Sequence, residues 1–299
     1  MNAIYTPRRA ARSRFLMLRG LQHHLLEWGE PDGRPPLVML HGWMDVAASF
    51  QFVVDALASP RHVIAMDWRG FGLSDNGGAD SYWFPDYLGD LDALLDAVSP
   101  SAPVDLLGHS MGGNVVMSYA GVRPQRVRKL INLEGFGLPD GNPERAPERL
   151  AEWLDALKTP ALLKPYASLA AVADRLMRTN PLLAADKAHW LAAHWSREQD
   201  GQWIILGDPV HKRPNAVPYR KAEVMATWRR ITAPLLWAEG AQTKILEFWG
   251  GRYPREEFEA RLSEVKIHQR RVIDGAGHML HHDRPEALAQ EIQAFLDGV

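Results

Sequence analysis

Hydrophobic positions along this chain fall into two rhythms. Short, nearly continuous apolar runs at residues 21–28, 36–40, 62–66, 104–107 and 130–133 read as buried strands. Between them, residues 47–58 and 87–98 repeat their apolar positions at the spacing of an amphipathic helix. A second block continues the alternation, with strands at 234–238 and 266–273 and a closing helix at 285–296. Such alternation predicts an α/β fold, a mostly parallel central sheet flanked by helices. The stretch at 138–230 breaks the rhythm. It reads as mainly helical and carries Trp153, Trp190, Trp195 and Trp203 among many leucines and alanines. Its edges are turn-rich, Pro139-Asp140-Gly141-Asn142-Pro143 before it and Thr232-Ala233-Pro234 after it. It is expected to be a helical cap inserted into one core domain made of 1–137 and 231–299.

Composition changes this picture little. A chain of 299 residues, 46% hydrophobic and 23% charged, suits one large domain with an insertion. With 34 basic and 36 acidic residues the net charge is −2, which points to no nucleic-acid partner. The chain has no cysteine, which excludes disulfides and thiol nucleophiles and fits a reducing, cytoplasmic setting. No apolar run approaches the roughly 18 residues of a membrane span. Arg8, Arg9, Arg12 and Arg14 precede only Phe15-Leu16-Met17-Leu18, too short for a signal-peptide core, so the start is expected to be a solvated arm. A monomer and a homodimer both remain open.

The chemistry concentrates at Gly108-His109-Ser110-Met111-Gly112, a G-x-S-x-G sequence between a predicted strand and a predicted helix. A serine on such a turn is held in a strained conformation at the strand tip, so its flanking positions must be small. The N–H of Met111 then lies near a helix N-terminus, where a developing oxyanion is stabilised. Val38-Met39-Leu40-His41-Gly42-Trp43 runs from a strand into His-Gly, and the N–H of Trp43 is the expected second oxyanion donor. His41, Trp68 and His109 are expected to line the substrate site. Asp67-Trp68-Arg69-Gly70-Phe71-Gly72 reads mostly as a structural turn with an Asp–Arg pair. Near the end, Asp274-Gly275-Ala276-Gly277-His278 presents a histidine after a strand, far beyond the serine, as a general base should be.

Taken together, His41-Gly42, the 67–75 turn, the Ser110 elbow and Gly277-His278 resemble, in content and order, the α/β-hydrolase superfamily and its capped, esterase-like members. The resemblance extends from about residue 21 to the end of the chain, with the cap least constrained. It implies an α/β-hydrolase fold and a Ser-His-acid triad. In most of the family an aspartate follows the strand after the cap. Here Thr243 stands at that position, and threonine cannot orient a histidine as a carboxylate does. Two glutamates are available instead. Glu134 ends the strand after the elbow helix, where haloalkane dehalogenases carry their acid, and Glu239 ends the later strand. Serine at the elbow, where dehalogenases and epoxide hydrolases need aspartate, argues against alkyl-enzyme chemistry.

His281 and His282 follow His278, but no carboxylate pattern completes a metal site, so no metal is expected. No nucleotide-binding glycine motif follows a strand, so no cofactor is expected. His211-Lys212-Arg213-Pro214-Asn215 reads as a solvated cap loop. The sequence therefore predicts a cofactor-free serine hydrolase acting on a small-molecule carboxylic ester or related acyl substrate. Thioesterase, lactonase and carbon–carbon bond hydrolase chemistry share the same parts. A ligand-binding module with little turnover is the reading from a different class.

Overall fold

A computed structural model describes residues 4–298. Its strands in chain order are β1 (Arg12–Leu18), β2 (Leu21–Trp28), β3 (Leu37–Leu40), β4 (Val63–Met66), β5 (Val104–His109) and β6 (Val127–Leu133). They continue with β7 (Ser196–Gln199), β8 (Gln202–Ile205), β9 (Leu235–Gly240) and β10 (His268–Ile273). The first half of the core carries helices α1 (Gln51–Ala56), α2 (Phe84–Val98) and α3 (Met111–Val122). Residues 138–230 supply α4 (Ala146–Leu157), α5 (Leu169–Thr179), α6 (Ala185–Trp195) and α7 (Lys221–Trp228). The chain closes with α8 (Ile245–Phe248), α9 (Arg255–Leu262), α10 (Leu280–Asp283) and α11 (Pro285–Asp297). No helix among the described residues is long and apolar enough to cross a membrane.

Eight strands form one sheet in the order β1-β2-β4-β3-β5-β6-β9-β10. Only the pairings of β1 with β2 and of β2 with β4 are antiparallel. The parallel strands β3, β4, β5 and β9 are buried along their whole length, because helices cover both sides of the sheet. Alternate residues feed two cores. Met39, Ala65, Leu107, Ile131 and Leu236 pack with α1 and α11 through Val53, Val54, Leu288 and Ile292. Val38, Ile64, Leu106, Leu130 and Trp237 pack on the other face with Leu91, Val115, Met117, Trp228 and Phe258. Trp228 belongs to α7, which lies against α3 so closely that a Cβ on Gly121 would stand 1.9 Å from the Thr227 carbonyl oxygen.

Three details differ from the sequence expectations. The arginine-rich start is docked, not solvated. Asp55 accepts hydrogen bonds from the Tyr5 hydroxyl (2.7 Å) and from the Arg8 and Arg9 amides, while the Arg9 guanidinium caps α1 carbonyls. Residues 12–18 then form an edge strand whose Arg12 and Arg14 pair with Glu27 of β2. The helix expected at 47–58 is a 3-10 turn at Ala47–Phe50 leading into the short α1, its first amide held by Asp67 at 2.7 Å. Within residues 138–230, expected to be mainly helical, β7 and β8 make an antiparallel ribbon that bridges to Tyr166 and, through Gly207, to Phe71.

Residues 138–230 touch the rest of the chain at the carboxyl ends of the strands. Trp195 donates to Asp45 after β3, Trp153 donates to Ser81 after β4, and Asn180 donates to Asp283 after β10. In open α/β sheets this edge is where sites are built.

Candidate active site

Ser110 sits between β5 and α3 with φ 52° and ψ −112°, a conformation that costs an L-residue strain of about 1–3 kcal/mol. The strain is imposed by packing. A Cβ on Gly108 would fall 2.3 Å from the Gly112 carbonyl oxygen, and one on Gly112 would fall 2.2 Å from that of Leu40. No side chain fits at either position, so both glycines are obligatory. The Ser110 amide donates to Leu133 O at 2.8 Å, which anchors the turn on β6. Met111 is the first residue of α3, so its N–H has no intrahelical acceptor.

His278, 168 positions away, brings Nε2 to 3.0 Å from Ser110 Oγ. Its Nδ1 lies 2.8 Å from Glu134 Oε2. An ionised carboxylate only accepts, so Nδ1 carries the proton and the Nε2 lone pair faces the serine. Glu134 is fully buried, whereas the His278 side chain is 28% exposed. The other Glu134 oxygen accepts from the Gly240 amide at 2.7 Å. Oε2 also accepts from the Thr243 hydroxyl at 2.6 Å. Thr243, the residue at the position of the expected aspartate, thus donates to the carboxylate that faces the His278 ring.

The His278 loop is braced from two sides. Its carbonyl oxygen accepts from His109 Nε2 at 2.9 Å, and the Gly277 amide donates to Asp283 at 2.9 Å. From α6 and the turn after α5, Lys187 reaches His282 O at 3.2 Å and Asn180 holds Asp283 at 2.7 Å.

Other expected site residues fall in different places. Glu239 is buried, but Arg255 donates to it twice at 2.9 Å and Arg270 Nε donates at 3.0 Å; its oxygens face these arginines and not the His278 ring. Trp43 is half exposed beside the site and follows Gly42, where a Cβ would stand 3.2 Å from Ser110 Cβ. His41 and Trp68 are fully buried and bonded to each other, the Trp68 amide donating to His41 Nε2 and the indole donating to His41 O, both at 3.0 Å. They shape the loop after β3 from behind. His109 is buried under the His278 loop, and desolvation followed by neighbouring His281 and His278 holds its pKa well below the ordinary value. Asp67 and Arg69 do not pair with each other: Asp67 accepts from His24, Ala47 and Leu73, while Arg69 pairs with Asp90. His211 is not a solvated loop residue. Its ring is stacked between Phe71 and Tyr82, with centroids 3.8 and 3.6 Å away.

A cavity of about 600 Å³ lies away from Ser110, between the N-terminal arm, β2 and α6, and is lined by Pro7, Leu26, Trp190 and His194 among others. Sequence reasoning missed Thr243 and Asn180 as supports of the site, because their partners lie more than a hundred positions away. It also missed Asp45, which faces His281 from the loop after β3.

The chain belongs to the alpha/beta hydrolase fold family, whose model matches residues 35–285. It is therefore a hydrolase of that family. It is similar to a serine hydrolase-like protein of Danio rerio, 28% identical over 292 residues covering 90% of this chain and 83% of that protein. A 3-hydroxybutyrate-oligomer hydrolase of Cupriavidus necator is 29% identical over 74% of this chain and 76% of its own. Among solved structures, the thioesterase domain from the curacin biosynthetic pathway superposes with a TM-score of 0.83 at 25% identity, covering 95% of this chain and 99% of that one.

Proposed function

We propose that this protein is a serine hydrolase that cleaves a carboxylic ester of a small molecule through an acyl-enzyme on Ser110. The observation that carries the reading is the continuous hydrogen-bonded line from Ser110 Oγ through His278 to Glu134, beginning at a serine of positive φ. As Oγ attacks the carbonyl carbon, His278 Nε2 takes its proton and Glu134 stabilises the imidazolium. The oxyanion is held by the N–H groups of Met111 and Trp43, each worth about 3–4 kcal/mol in sites of this type. The carbon–oxygen bond breaks as His278 returns the proton to the alcohol. Water, deprotonated by the same ring, then releases the acid and regenerates the serine. The insertion, whose boundaries we read as a cap over the site, supplies the walls that choose the substrate, with Trp43 at the rim.

The similarity to an oligoester hydrolase supports an ester substrate, and the similarity to a thioesterase domain favours thioesters as the second reading. Labelling with a fluorophosphonate, read by intact mass, is expected to add one adduct to the wild-type chain and none to Ser110→Ala. Failure of the folded wild type to react would sink the reading and leave a binding module on this scaffold. Matched oxygen and sulfur esters of the same acids then decide between the two substrate classes by kcat/KM.

A further inference from the structure

Behind the His278 loop lies a second cluster that the proposed acyl chemistry does not use. Asp45 from the loop after β3, His109 from the end of β5 and His281 from α10 are each at most 3% exposed. One carboxylate oxygen and one ring nitrogen from each histidine lie within 4.8 Å of one another. Two histidines and a carboxylate, with no thiolate, are a donor set of zinc-class cations.

The bonds around the cluster leave one or more polar atoms of each residue without a hydrogen bond. Asp45 Oδ1 accepts from the Trp195 indole at 2.9 Å and from the Ser49 hydroxyl, while Oδ2 has no hydrogen bond and stands 3.7 Å from His281 Nε2. His109 uses Nε2 to donate to His278 O at 2.9 Å, which fixes its tautomer and leaves Nδ1 as an unprotonated nitrogen without a partner. Neither ring nitrogen of His281 makes a hydrogen bond, and its nearest charged neighbour is Asp45. Several unpaired polar atoms in one buried place are costly, at about 1–3 kcal/mol each. A bound cation would satisfy one such atom from each of the three residues. Outer partners that orient ligands, here Trp195, Ser49 and the His278 carbonyl, are the usual company of a metal site.

We propose that Asp45, His109 and His281 form a buried binding site for a divalent transition cation of the zinc class, one hydrogen bond behind His278. His282, also buried beside them, is outside the ligand set. The test uses the tag-free full chain, stripped with a chelator and titrated with Co²⁺ and with Zn²⁺. One equivalent of Co²⁺ is expected to bind with the visible absorption of a low-coordinate site, to be displaced by Zn²⁺, and Zn²⁺ is expected to raise Tm. His281→Gln and Asp45→Asn should each weaken Zn²⁺ binding by more than the roughly 100-fold that loss of an outer partner costs. His282→Gln and Ser110→Ala should bind as wild type does. Circular dichroism identifies any variant that does not fold, and the other ligand variant then carries the comparison. No binding to folded wild type, or binding unchanged in the folded ligand variants, overturns the site. These readouts do not depend on Ser110 turnover, so their failure is distinct from failure of the hydrolase reading.

Discussion

Glu134 and Glu239 end neighbouring strands of one sheet, are equally buried, and have opposite surroundings. β6 and β9 pair in parallel, with Leu133 beside Ala238, so the two glutamates follow at the same level. Strand alternation would send both to the face of Leu130 and Trp237. Glu239 obeys, stays within β9, and meets Arg255 and Arg270. Glu134 leaves the strand with φ 57°, and this single left-handed residue carries its carboxylate over the sheet edge to the Gly240 amide and the His278 ring. One backbone angle therefore separates a carboxylate that orients a histidine from one that closes an ion-pair network.

The sharpest break of this comparison is Glu134→Gln. It keeps the shape, lets the amide hold the wrong tautomer of His278, and is expected to lower kcat by about 10³–10⁴-fold while the protein stays folded. A loss of less than tenfold in ester turnover would remove Glu134 from the acid's role. Glu239→Gln should do the reverse. Its arginine partners are a third or more exposed, so screening limits the cost to about 1–3 kcal/mol of stability, read as a lower urea midpoint with kcat within a few-fold of wild type. Thr243→Val removes one donor to a charged acceptor and is expected to lower kcat/KM about tenfold. Restoration of turnover by Thr243→Asp in the Glu134→Gln background would show that the acid can be moved between the two strand ends.

The smallest effect concerns pH and bears on neither glutamate. Burial pushes the His211 pKa down to about 4. Above the ordinary histidine value both folded and unfolded chains hold it neutral. Below that value the unfolded chain takes a proton that the folded one refuses, so stability falls as pH drops towards 4, by at most about 1.4 kcal/mol per unit. Urea midpoints from pH 7.5 to 5 should show a shallower slope in His211→Phe. An identical slope would assign the acid sensitivity to the other buried histidines.

Much of this was legible in the chain, and the reasons differ by residue. The Ser110 elbow was readable because backbone contact at Gly108 and Gly112 admits no side chain, which leaves a fixed spacing in the sequence. The buried strands were readable because both of their faces are apolar. The acid stayed divided between two glutamates because no local pattern announces a left-handed residue at position 134. His41 and Trp68 follow β3 and β4 in separate loops, but their mutual hydrogen bonds turn them inward, and sequence does not give direction. β1 was hidden because its inner face opens with Arg12 and Arg14 while its exposed face carries Phe15 and Met17, which leaves no apolar alternation to read. Asp45 could not be joined to His281 because only the fold brings those two loops together.

The arrangement at the end of β6 also bears on how such a chain can change over time. With the His278 ring held from position 134, the segment between β9 and α9, which includes α8, keeps the Thr243 hydroxyl as its bond to that ring's partner. That stretch is thereby open to lengthening or replacement downstream of Thr243. In a lineage of such chains, or on a bench, it is the place to graft a new segment beside the site without disturbing the hydrogen-bonded line from Ser110 to Glu134.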